Sequence, residues 1–144
     1  MNGNNSYSER NKEPSKGEVL FEQYCQDKNV QCVRLGFDQY THPIEGFHLI
    51  NPMLRNIPDY LAIAKNKKFL VMVKGTANIK KKEVDMIPLF MEWYGSKEVP
   101  LYYAFCFEGQ NKPLFMTPSR VIELYQGATD KQWSDGVIYR TLAL

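Results

Sequence analysis

The sequence predicts an α/β protein: a mixed β-sheet with helices on its faces. Three stretches, "GEVLFEQYCQDKN", "IKKKEVDMIPLFMEWYG" and "SRVIELYQG", repeat their apolar residues near the helical period. Between them lie short runs rich in β-branched and aromatic residues, the mark of half-buried or buried strands. At 144 residues the chain can bury one continuous core but not two, so helices and strands are expected to share a single domain.

Residues 1 to 16 carry Asn, Ser, Lys and Glu with almost no apolar side chain, and are expected to be a disordered lead-in to a domain spanning residues 17 to 144. The first helix follows, with Val19, Leu20, Tyr24 and Cys25 near a helical period. "VQCVRLGF" alternates as a half-buried strand does. The segment "DQYTHPIEGFHLINPMLRN", with two prolines and a glycine, reads as a long connection. "IPDYLAIA" and "KFLVMVK" form an antiparallel hairpin around "KNK", and Gly75 ends the second strand. In the next helix Val84, Ile87, Met91 and Tyr94 share a face, and Pro88 either opens or kinks it. "VPLYYAFCF" is a buried strand whose aromatics serve as packing residues, and "KPLFMTP" is another strand. A short helix begins at Ser119 and stops at Gly127, and "DGVIYRTL" closes the chain as a strand.

Composition narrows the chemistry. A formal net charge of +2 does not by itself call for a polyanionic partner. The three cysteines, Cys25, Cys32 and Cys106, lack a CxxC spacing and fall in apolar elements, so they are expected to be buried reduced thiols of a cytoplasmic protein. With only His42 and His48, no zinc-ligand set of recognisable spacing can be assembled. No apolar run is long enough to span a membrane, and the N-terminus lacks a signal-peptide core. A Gly-rich phosphate loop and a nucleophile with a histidine partner are also missing, which argues against a small-molecule enzyme.

The hairpin concentrates the chemistry. Asp59 precedes its first strand and Lys74 closes the second, so a short turn brings both to one end of the sheet. Lys74, Met72, Leu70 and Lys68 share one face by alternation. A carboxylate and an ammonium so placed can bind a divalent cation and orient a water, or can simply form a surface ion pair.

The combination "PDYLAIA…FLVMVKGT", in an order of helix, three strands, helix and strand, resembles the PD-(D/E)XK nuclease superfamily. The resemblance runs from Gly17 to about Phe107. "GEVLFEQY" also resembles the GE-x(5)-Y opening of its Holliday-junction-resolvase-like members, which puts their helix carboxylate at Glu18, with Glu22 as second choice. The resemblance implies a restriction-endonuclease-like fold and an Mg- or Mn-dependent endonuclease acting on DNA, branched or junction DNA included. Asp59 and Glu18 would hold the metal with the backbone carbonyl of Val73, and Lys74 would orient the attacking water. DNA is the implied partner, and a homodimer is compatible with it.

One position departs from the pattern. Where the superfamily carries Asp or Glu two residues before the lysine, this chain has Met72, whose thioether is a poor ligand for Mg. Either the acid has moved to the following helix, where Glu83 and Asp85 stand, or the site has decayed into a module that binds nucleic acid or a protein without cutting. Arg55 is a candidate for a bidentate grip on phosphate. Lys65, Lys67 and Lys68 in the turn, and Lys80, Lys81 and Lys82 before the helix, are expected to flank the site and neutralise DNA.

Overall fold

The computed structural model describes residues 15–36 and 56–144. Most of the expected lead-in, the long proline-containing connection and Arg55 lie outside these residues. A five-stranded sheet runs in the order β1 (Gln31–Arg34), β2 (Tyr60–Ala64), β3 (Lys67–Lys74), β5 (Leu101–Phe105), β6 (Leu114–Met116). All its pairings are antiparallel except β3 with β5, which run parallel and are joined through a crossover. That crossover contains β4 (Asn78–Lys80) and helix α2 (Lys81–Trp93). Helix α1 (Lys16–Asp27) precedes β1, and helix α3 (Pro118–Gln126) follows β6. Near the C-terminus, β7 (Lys131–Gln132) and β8 (Ile138–Thr141) combine with β4 in a second sheet, ordered β4-β8-β7.

Alternation along β3 and β5 divides the core into two layers. On one face Val71, Ala104 and Cys106 pack with Phe21 and Cys25 of α1. On the other, Tyr103 and Phe105 pack with Val84 and Ile87 of α2, Val121 and Tyr125 of α3, Ile79 of β4 and Leu142 just past β8. Met72 lies on this second face. It packs against the cluster of Phe90, Leu101, Leu70 and Tyr94 as well as the main core. Cys25 and Cys106 are buried free thiols and Cys32 is a half-buried one; burial pushes Cys25 and Cys106 up to about 12.

Caps account for most of the helix limits. The Ser15 hydroxyl accepts from the Glu18 N–H to open α1, and Asn29, with φ 58, supplies the left-handed residue beyond its end. Helix α3 begins earlier than expected from Ser119: Thr117 caps it, Pro118 takes the first turn, and Gly127 stops it as anticipated. Pro88 lies inside α2 and does not open it. The buried stripe of α2 is Val84, Ile87 and Phe90, and Met91 is exposed. Phe90 takes Met91's expected place because this part of the helix packs on Leu101 and Leu70 of the sheet, where no α3 residue joins the cluster.

Candidate functional site

The two-residue turn at 65 and 66 pairs Ala64 with Lys67 and Tyr60 with Val71. Asp59, one residue before β2, therefore stands beside the last residues of β3. Its Oδ2 accepts the Val73 N–H at 2.7 Å, and its own carbonyl accepts from the Leu35 N–H at 2.9 Å. These bonds fix the partly buried carboxyl at the sheet end. Burial pushes it up to about 6; the Val73 N–H opposes the rise, the charge of Glu18 adds to it, and Lys74 and Arg34 draw it down. Charged groups from α1, β1 and β3 thus act on the carboxyl that precedes β2.

Lys74 ends β3 on the α2 side. Its Nζ lies 2.7 Å from Glu83 Oε2, with the side chains only 21% and 29% exposed, so solvent screens this pair less than a surface bridge. The other Glu83 oxygen accepts the Lys80 N–H at 3.4 Å, in the first turn of α2. Of the two candidate acids in the first part of that helix, Glu83 is therefore the one delivered to the lysine. Asp85 turns away and pairs with Lys81 at 2.6 Å on the exposed surface.

Glu18 reaches the site because α1 approaches the end of β3 at a glycine contact. A Cβ built on Gly17 would stand 3.0 Å from the Gly75 Cα and 3.2 Å from its nitrogen. A side chain at 17 would press on that backbone, so glycine suits the approach, and the "GE" pair and the "KG" pair form one packing unit. Glu18 Oε2 meets Arg34 at 2.8 Å, and the same guanidinium lies 3.6 Å from Glu22. Glu22 also accepts the hydroxyl of Tyr60.

The site thus gathers Asp59, Lys74, Glu18 and Glu83. Val73 touches Asp59 through its N–H. Two expectations about the lysines separate. Lys80 lies beside Glu83, but Lys65, Lys67 and Lys68 do not flank the site, because the turn of a hairpin is at the opposite end from its open strand ends. Lys68 stands six residues before Lys74, about 20 Å along β3. Lys82 is exposed on α2.

Arg34 is a member of the cluster that the motifs do not point to. A signal for it is nonetheless present: Glu18 and Glu22 are one turn apart on α1, and Arg34 shares the α1-facing side of β1 with Cys32. A helix face with two acids packed on a strand needs a cation, and Arg34 is the charged residue of that strand.

No protein-family model matches this chain, and no curated protein matches it either. Among the described residues, no helix is long and apolar enough to cross a membrane. What is shown is an α/β domain with a mixed five-stranded sheet and a cluster of carboxylates and cations at one end of it.

Proposed function

We propose that this domain is a metal-dependent nuclease of restriction-endonuclease-like architecture, hydrolysing DNA phosphodiester bonds at the end of the β2–β3 hairpin. The observation that carries the reading is the pairing of Lys74, whose charge also acts on Asp59, with Glu83: the next helix brings a carboxylate to the lysine although Met72 supplies none. Among the described residues no group of three or more His, Cys, Asp or Glu is arranged to hold a metal. Asp59 and Glu18 are nonetheless oxygen donors, and the charge of Glu18 raises the cost of ionising Asp59, a cost that a divalent cation would relieve. Such a pair suits Mg or Mn, which keep several waters and take one or two carboxylates from the protein.

Bound between Asp59 and Glu18, the cation would polarise a phosphoryl oxygen. The chain supplies the rest. Val73 holds one oxygen of Asp59 and leaves the other outside that bond. The Lys74 ammonium has three donors, of which Glu83 takes one, so it can also hold the attacking water and steady charge on the phosphate. Glu83 orients that ammonium and can accept a proton from water. Lys80 and Lys82 contribute sequence-independent attraction to the backbone.

Supercoiled, branched and single-stranded DNA incubated with Mg or Mn should be cut, and Asp59→Ala or Lys74→Ala should reduce cutting by about a hundredfold or more. Absence of cutting with every substrate and either metal refutes the reading. A second reading, a module that binds nucleic acid without turnover, is favoured by the ion pairs that occupy Glu18 and Glu83. It expects DNA binding that Asp59→Ala leaves intact and no cleavage by the unaltered protein.

A further inference from the structure

The small sheet carries a surface that the carboxylate site does not use. Its register places Lys80 of β4, Tyr139 of β8 and Lys131 of β7 side by side in one cross-strand row. By alternation Asn78 and Thr141 share that face, while Ile79, Arg140 and Leu142 point to the other. The inner side is closed by burial of Ile79 and Leu142 in the core. On the outer side, Trp133, just past β7, stacks on Tyr139 with centroids 4.1 Å apart and planes 16° from parallel. The ammonium of Lys80 stands 6.0 Å from the centre of the Trp133 ring. Lys131 is exposed and donates to the Thr141 hydroxyl at 3.0 Å, and that hydroxyl donates to Asn78 Oδ1 at 2.7 Å.

No acidic residue of the three strands stands on this outer face, and Glu123 of α3, which lines the groove beside Lys131 and Thr141, is paired with Arg120 at 2.7 Å. Asp130, next to Lys131, is held on the other side by Arg140 at 2.6 Å. The face therefore combines a pair of stacked rings with two ammonium groups and neutral hydrogen-bonding side chains. Stacking platforms for bases flanked by cations for phosphates are the two components of single-strand recognition. A flat duplex backbone would use the lysines but could not reach the rings with its stacked bases.

We propose that this face binds single-stranded DNA, with an unpaired base extending the Trp133–Tyr139 stack and neighbouring phosphates on Lys80 and Lys131. The inference rests on the nuclease reading for its purpose, because the two surfaces are contiguous. The Lys80 N–H donates to one oxygen of Glu83 and Lys74 pairs with the other, so a strand lying on the face leads to the candidate site. It names the substrate class: DNA with an unpaired segment next to the bond that is cut.

The chain has two tryptophans, Trp93 and Trp133, so a Trp93→Phe form reports Trp133 alone. In EDTA, to prevent cutting, an oligo-dT of about 12 nucleotides should quench that emission saturably and less so as salt rises. Trp133→Leu and Tyr139→Leu should each weaken binding of a labelled oligo-dT at least about fivefold by anisotropy. Lys80→Ala and Lys131→Ala, which remove no core packing, should together lower the slope of log affinity against log salt by about 1.4. The proposal is overturned if Trp133 emission does not respond, if the lysine variants bind like the parent, or if blunt duplex or poly-glutamate quenches as well as oligo-dT. Should Trp133→Leu fail to fold, the lysine variants and the quenching decide. Oligo-dT that quenches Trp133, with no DNA cut in Mg or Mn, sinks the nuclease reading alone; cutting with an unresponsive Trp133 sinks the platform alone.

Discussion

Replacing Asp59 by Asn is expected to make the protein more stable at pH 8 while destroying its proposed activity. The folded carboxyl ionises near 6 and an unfolded one near 3.8, so between those values the folded chain holds the extra proton. Its contribution to stability is therefore greatest below about pH 4 and declines as pH rises through 6. The distance between the two values is worth about 3 kcal/mol, and the preference of the Val73 N–H for the charged carboxylate is already contained in it. Asp59→Asn should thus exceed the parent by about 3 kcal/mol at pH 8 and lie close to it at pH 4. Urea unfolding of both proteins across that range measures the difference directly, and other titrating groups cancel in the comparison. A difference that does not vary with pH refutes the argument that burial and Glu18 penalise this charge. Mg supplies a second arm. At ten times its Kd it should stabilise the parent by about 1.4 kcal/mol at pH 8 and leave Asp59→Asn unmoved.

Gly17→Ala should cost about 1–3 kcal/mol in chemical unfolding, despite the better helix propensity of alanine, because its Cβ would press on the backbone of Gly75. Gly75→Ala meets Gly17 only at ordinary contact, 3.8 Å and beyond, and should be milder; equal costs would refute the one-sided contact. Met72→Glu should destabilise by roughly 2–4 kcal/mol, since it puts a carboxylate among Leu70, Phe90 and Leu101, whereas Met72→Leu should cost under about 1.5 kcal/mol. Tyr125→Phe should leave stability unchanged or raise it by up to about 1 kcal/mol in thermal unfolding. Its hydroxyl is buried with no hydrogen-bond partner among the described residues, and the Arg140 guanidinium 4.5 Å above the ring would still face a phenyl.

Signals that the sequence carries locally survive into the structure, and those that depend on neighbours do not. The hairpin that joins Asp59 to the end of β3 is readable because two apolar runs and a short turn leave one pairing that keeps Val71 and Ala62 buried. The start of α3 is ambiguous because Ser119 and Thr117 are both good caps, and Pro118 at the first turn decides for the latter. β4 and β7, with three and two residues, are too short to show a period, so of the second sheet only β8, within "DGVIYRTL", is legible, and its partners and the Trp133–Tyr139 pair are not. The turn lysines fall away from the site for a geometric reason. Nearness along the chain to a strand says nothing about which end of the hairpin a residue occupies.

The methionine two residues before Lys74 follows from the same geometry. Position 72 and position 74 share the face covered by α2, and the first of them lies under the packed part of that helix while the second emerges at its N-terminal end. An acid at 72 would have to be kept ionised beneath Phe90 and Leu101, whereas one in the first turn of α2 gains from the helix N-terminus and from the Lys80 N–H. Glu83 occupies that cheaper position and still reaches the lysine. On this reasoning an apolar residue at 72 and an acid at 83 form a compensating pair, so Met72→Glu combined with Glu83→Gln should not recover what Glu83→Gln alone loses. Any activity regained in the double variant, measured against the single one under equal metal, would show that the strand position can serve after all.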